Sequence, residues 1–176
     1  MKTPFEHFKS DISVVQIEEN LYEGNVSDMW SIGTTPNGGY TMALAAKAIS
    51  ESLEHKDPLI VTANYLNRVN FGKIDIKVET LPSTRSLSSA RATMIQDNEI
   101  KVIFTATFTD LSKSTGLNKA FKKEPIFEKY EDCHLHAFKE GFNPGLEKFI
   151  EKKYCSDSIW WKAKDNNENK LSLIHI

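Results

Sequence analysis

Cysteine is scarce in this 176-residue chain, with Cys133 and Cys155 the only two. There is no Cys-x-x-Cys and no even-numbered framework of spacings, so a disulfide-stapled scaffold does not fit, and both read as free thiols in a reducing compartment. An excess of basic charge is also lacking. With 22 Lys and Arg against 24 Asp and Glu, the formal charge is -2, which offers no positive face to nucleic acid or an anionic membrane. Long apolar runs are missing as well. No stretch approaches the roughly 20 apolar residues that cross a bilayer, and the opening "MKTPFEHFKSD" has no apolar leader core. The expected protein is cytoplasmic, without nucleic-acid or membrane partners. Its 40% apolar content is ordinary and enough for a buried core.

Helical signals concentrate in "PNGGYTMALAAKAIS", Pro36 to Ser50. Asn37 is a good N-cap type, Gly38 and Gly39 fit a first turn without steric demand, and Met42, Ala45, Ala46, Ile49 and Leu53 recur at helical spacing. The spacing predicts a helix ending near His55, slim on nearly every side because of Ala43, Ala45, Ala46 and Ala48. A slim apolar helix is one that something wraps around.

From Pro58 to Thr109 the period changes to alternation, as in strands with one wet face. "KIDIKVETL" sets Ile74, Ile76 and Val78 against Lys73, Asp75, Lys77 and Glu79, and "EIKVIFTATFT" sets Ile100, Val102, Phe104, Ala106 and Phe108 inward. Ala90, Ala92 and Met94 alternate between them, and the apolar "LIVTANYLNRV" reads as a central strand. Breaks at Asn70-Phe71-Gly72, Pro82-Ser83-Thr84 and Asp97-Asn98 predict an antiparallel meander. "VVQIEENLYEGNVSDMWSIG" adds one or two strands before the helix. Residues 113–157 read as a charged connector in which "GLEKFIEKKY" predicts a short amphipathic helix, and "SIWWKAKD" opens another strand.

Three pieces in this order carry a resemblance: "W-x-I-G-x-x-P-N-G-G-Y-x-x-A-L-A-A-K-A" over Trp30 to Ala48, "D-P-L-I-V-T-A-N-Y-L" over Asp57 to Leu66, and "V-E-T-L-P-S-T-R-S-L-S-S-A-R-A" over Val78 to Ala92. Together they resemble the N-terminal hot-dog domain of the acyl-CoA thioesterase II-like proteins, within the thioesterase-like superfamily. The resemblance covers roughly residues 14 to 110. It implies an α+β hot-dog fold for residues 1–112, one long apolar helix wrapped by an antiparallel sheet, with two such units in the family's full chain. It also implies hydrolysis of acyl-CoA to free acid and CoA, with no cofactor. The alternative is a non-catalytic acyl-CoA-binding or dimerisation module. A hot-dog hydratase fits less well, since no Asp-x4-His occurs in the chain.

The candidate substrate-binding residues are Asn37, Gly38, Gly39 and Tyr40, because glycine at a helix start lets a carbonyl approach unsatisfied backbone N–H groups. The plain alternative is a capped helix after a tight turn, with Tyr40 as packing. Arg85 and Arg91 are candidates for CoA phosphates but equally for solvated sheet positions, as are Asn64 and Arg68. "DCHLH" places His134 and His136 on one strand face with Cys133 or Cys155 in reach, yet no second ligand pair has structural zinc spacing, so no metal is expected. His7 and His55 show no obvious partner. The helix carries no carboxylate before Glu51, and the family's water-holding Asp, Thr or Ser and Gln belong to its second unit, so the catalytic residues have no matching positions in this chain.

A lone unit would leave an edge strand and an apolar flank bare, which predicts a homo-oligomer, a dimer imitating the double unit. Residues 158–170 are expected to start the second hot-dog unit. The ending "LSLIHI", Leu171 to Ile176, is encoded by CTGTCTCTTATACACATC, a run resembling the transposon mosaic end of sequencing libraries. Residues 171–176 therefore read as a non-native tail and the chain as the N-terminal half of a longer protein.

Overall fold

The computed structural model describes residues 3–116, 119, 121, 126–156 and 159. It divides into two compact units, Met1–Thr115 and Gly116–Ile176.

The first unit opens with helix α1 (Pro4–Asp11), which begins on a capping box. Thr3 Oγ1 accepts the Glu6 N–H at 3.3 Å and Glu6 Oε2 accepts the Thr3 N–H at 2.7 Å, while Pro4 sits at a first-turn position that needs no donor. Strands β1 (Val14–Glu18) and β2 (Leu21–Val26) form a hairpin turning at Asn20, whose φ of 62° asparagine tolerates. A small ribbon, β3 (Ser31–Ile32) and β4 (Thr35–Pro36), leads into helix α2 (Gly38–Ser52). Then follow β5 (Asp57–Tyr65), β6 (Gly72–Thr80), β7 (Ser88–Gln96) and β8 (Glu99–Thr109). The sheet is antiparallel in the order β1-β2-β6-β7-β8-β5, and α2 packs against all six strands. This is the α+β hot-dog arrangement that the resemblance implies.

The helix ends at Ser52 rather than near His55. Leu53 turns inward in an extended conformation, 5% exposed, and Lys56 Nζ donates to the carbonyls of Ser50 and Leu53, satisfying acceptors that a further turn would have used. The buried stripe runs through Thr41, Leu44, Ala45, Ala48 and Ile49, so Met42 and Ala46, expected to face the core, lie at its margin. Opposite the helix, Ile74, Ile76, Val78, Ala90, Ala92 and Met94 are sealed as the alternation requires.

Two strand expectations are corrected. β5 is an edge, not central, because among the described residues it pairs only with β8. Leu59 and Ile60 on it are exposed. Ile100 also points outward, 45% exposed. The β7–β8 register shifts beside it, between Met94 and Ile95, so the alternation is broken and Lys101 takes the inward place, its Nζ reaching Glu99 Oε2 at 2.8 Å. The meander holds for β6, β7 and β8, where Asp97 and Asn98 both have positive φ in a tight hairpin turn.

In the second unit β9 (His134–His136) pairs with β10 (Lys152–Tyr154). The helix expected over Gly145–Tyr154 is a 3-10 segment, Gly145–Phe149, followed by that strand. Pro144 precedes it without a side-chain cap, and pairing with β9 takes up the last three residues. Of the expected strand 158–170 only Ile159 is described, and the tail 171–176 lies outside the described residues.

Ala48 is fully buried against the sheet while Ala46 is only half-buried. Ala48→Leu should lower the unfolding free energy by about 1–3 kcal/mol through overpacking, and Ala46→Leu by no more than about 0.5 kcal/mol. Urea denaturation of both variants reads the difference.

Candidate functional site

The N-terminus of α2 is held by its own sequence. Trp30 O accepts the Asn37 N–H at 2.8 Å, closing the β3–β4 ribbon around Gly33, which takes a φ of 62°. Asn37, extended at φ -63° and ψ 137°, caps the helix, its Oδ1 accepting N–H from Gly39 at 2.8 Å and from Tyr40 at 3.2 Å. Asn37 O takes the Thr41 N–H at 3.1 Å. Among the described residues this leaves the Gly38 N–H as the first-turn donor without a partner. No acidic side chain stands in that turn to neutralise the helix's partial positive charge.

Tyr40 is turned into the core, 3% exposed. Its hydroxyl donates to Asp11 O at 3.0 Å, lies 3.3 Å from Asn25 O, and accepts the Ser27 N–H at 3.0 Å. Its ring stacks on Trp30 at 6.3 Å, and Trp30 Nε1 donates to Asp11 Oδ2 at 2.8 Å while Phe8 meets the indole edge-on. Asp11 thus ties α1, the indole and the helix start together. The phenol is held above the ordinary tyrosine value, by burial first; the Ser27 N–H opposes this and the Asp11 carboxylate adds to it.

Beside the helix start opens a cleft of about 450 Å3, lined by Pro36, Gly38 and Thr41 on one side and by Tyr65 through Val69 on the other. The Gly38 carbonyl accepts two hydroxyls, Tyr65 Oη at 2.6 Å and Thr41 Oγ1 at 2.9 Å. A Cβ on Gly38 would stand 3.0 Å from that Tyr65 oxygen, so a side chain there would press on the Tyr65 hydroxyl that the Gly38 carbonyl holds. Arg68 Nη2 clamps the Thr34 carbonyl and, at 2.9 Å, its hydroxyl. Asn67 Nδ2 donates to Ile100 O at 3.0 Å. No Asp, Glu or His is among the described lining residues.

Of the four expected binding residues, Gly38 lines the cleft, while Asn37, Gly39 and Tyr40 build the turn that presents it. Tyr65 and Thr41 were not singled out from sequence. Thr41 reads as one more polar residue in a helix, and Tyr65 reaches Gly38 only through the fold. Arg91 pairs with Glu79 across β6 and β7 at 3.8 Å, Arg85 is exposed on the β6–β7 connection, and Asn64 is exposed on β5, and none of the three is among the described lining residues of the cleft. His55 Nδ1 lies 2.7 Å from Ser88 Oγ, and His7 lies on α1. Cys133 and Cys155 come together with Glu128 rather than with His134 or His136; His136 instead meets Asn143 at 3.1 Å. Among the described residues no helix is long and apolar enough to cross a membrane.

A long apolar helix wrapped by one antiparallel sheet defines a hot-dog fold. Residues 26–109, a little under half of the chain, match the family described as acyl-CoA thioesterase N-terminal domain. The chain is similar to the thioesterase-like protein TwmA of Talaromyces wortmannii, 29% identical over 92 residues that cover 51% of this chain and 26% of that one. Among solved structures it is similar in fold to a thioesterase II candidate from Thermobifida fusca YX, with TM-score 0.80, 20% identity, and 89% of this chain and 58% of that one covered. A hot-dog protein of unknown function from Alicyclobacillus acidocaldarius gives TM-score 0.69 and 21% identity over 82% and 53%. The chain spans a little over half the length of those two structures.

The folded Tyr40 phenol holds its proton more tightly than an unfolded tyrosine, so the stability it contributes is complete below about pH 10 and is lost as pH rises through the folded value. The urea midpoint should therefore fall above about pH 10 more steeply in the native chain than in Tyr40→Phe. Equal slopes would separate the anchor from the titration.

Proposed function

We propose that the chain supplies the N-terminal half of an acyl-CoA thioesterase, with the Asn37–Tyr40 turn as its substrate-binding element. The observation that carries this reading is the unpartnered Gly38 N–H at the start of an uncompensated helix, beside the cleft. In hydrolysis, water adds to the thioester carbonyl carbon, negative charge gathers on the carbonyl oxygen, and collapse of the tetrahedral species expels the CoA thiolate, which takes a proton. A preorganised backbone donor aimed at that oxygen lowers the barrier because charge develops there only in the transition state. Gly38 brings the donor close without a side chain, and Asn37, Gly39 and Tyr40 hold it in place. The acyl chain lies along the apolar part of the cleft, by Pro36, Leu66 and Val69.

Activation of the water belongs to a second hot-dog unit. Among the described residues the cleft lining holds no carboxylate or imidazole, and its far wall begins at the end of β5, whose outer edge has no strand partner among those residues. A second unit added along β5, in the same chain or in a partner copy, would bring side chains to the open side of the cleft. The missing base also favours one other reading, an acyl-CoA-binding or dimerisation module without turnover. Thiol release from short, medium and long acyl-CoA by the full-length parent tests the first reading, and inactivity across the series rejects it. Calorimetric titration with a non-hydrolysable acyl-CoA then identifies the second by binding without turnover.

The donor itself is tested by Gly38→Pro against Gly38→Ala in the full-length parent. Both add a Cβ toward Tyr65, but only proline removes the N–H, and it does so at a helix position that accepts proline after a residue already extended. Gly38→Pro should lose about 10²–10³ in kcat relative to Gly38→Ala. Equal rates would remove Gly38 from the chemistry.

A further inference from the structure

Cys133 and Cys155 stand one position outside the β9–β10 ladder. Tyr154 is paired with His134, so continuing the register opposes Cys155 to Cys133, and their Sγ atoms lie 3.8 Å apart. Both are half-buried. Cys133 Sγ is 3.9 Å from Glu128 O, and the Glu128 carboxylate gathers with the two sulfurs within 4.8 Å. As a metal set this is poor. It has three ligands, the carboxylate is exposed, and its Oε2 already accepts Ser156 N–H at 3.0 Å and Ser156 Oγ at 3.1 Å. As a dithiol it is nearly complete, since closing to an S–S bond of about 2.05 Å needs only side-chain rotation in a pair already opposed.

We propose that Cys133 and Cys155 form a redox-active dithiol that exchanges with small disulfides of the glutathione class and closes residues 133–155 into a ring. One protein thiolate attacks a sulfur of oxidised glutathione, breaking its S–S bond and releasing one glutathione thiolate. The second protein thiolate attacks the protein-side sulfur of the mixed disulfide, forming the Cys133–Cys155 bond and releasing the other. Two protein thiols are oxidised, one glutathione disulfide is reduced to two thiols, and the two protons pass to them or to solvent. Burial, followed by the contact with Cys155, pushes the Cys133 thiol up, so exchange accelerates as pH rises past the ordinary thiol range.

The test treats the full chain with excess oxidised glutathione and reads intact mass, free thiols and linked peptides. The native chain should lose about 2 Da, retain no free thiol, and yield ring-closed over doubly glutathionylated protein by at least about ten to one. Cys155→Ser should stop at one glutathione on Cys133. In concentrated urea the ring's advantage should fall, because the hairpin no longer opposes the sulfurs. Two adducts, disulfides between chains, thiols left unreacted, or a ratio unchanged by urea would each overturn the proposal. So would a purified protein whose thiols are shielded by zinc until a chelator is added.

Discussion

The first unit depends on the thinness of α2. Ala45 and Ala48 are fully buried, and the sheet answers with Ala90, Ala92 and Ala106, so the backbones come close at these positions while Leu44, Ile49, Ile74, Ile76 and Phe104 fill the core around them. Gly24 on β2 belongs to the same fit, since a Cβ there would stand 3.2 Å from Leu44 Cδ2. A thicker helix would lift off six strands at once, exposing Ile74, Ile76 and Phe104 together. This also explains why charge appears on the helix only at Lys47 and Glu51, a half-exposed pair one turn apart in the second half of the helix.

Because the helix is fixed by its flank, its first turn is fixed as well, and a backbone donor becomes a usable group. Tyr40 adds the axial constraint. Its hydroxyl meets the end of α1 and the β2 end at once, and Trp30 lies between it and Phe8. Helix α1 has no buried side chain of its own; it is retained by what Asp11 and Phe8 hold. Small apolar packing behind and aromatic anchoring below leave Gly38 half-buried beside the cleft, with Gly39 the exposed residue of the turn.

Much of this was readable from sequence for physical reasons. Two glycines after an Asn and before alanines mark a capped helix start, and strict alternation marks β6, with a looser alternation for β7, because these signals are local. Helix α1 carried its signal too, in Thr3, Pro4 and Glu6, a capping box within an opening segment read only for a leader. What stayed hidden depends on topology. A strand apolar on both faces reads the same whether two sheet neighbours cover it or it waits at an edge, so β5 was misplaced. Lys101 breaks the alternation of β8 through an irregularity that no period reveals. Tyr65 meets Gly38 across 27 residues, and no spacing rule spans that distance.

The edge strand and the cleft are the same problem seen twice. β5 leaves its outer hydrogen-bonding side open, and Tyr65, Leu66, Asn67 and Arg68 continue from it into the cleft wall. A backbone donor can be built within one unit, since a helix always offers free N–H groups at its start. A base cannot be placed opposite that donor by the same helix, because side chains on α2 project sideways and its sheet-facing stripe is sealed by apolar packing. In the proposed thioesterase the opposing group comes from chain set along the β5 edge, where Leu59 and Ile60 are left uncovered. On the proposed reading, the apolar exposure of β5 and the missing acid–base residue follow from one cause, and whatever covers the first also supplies the second.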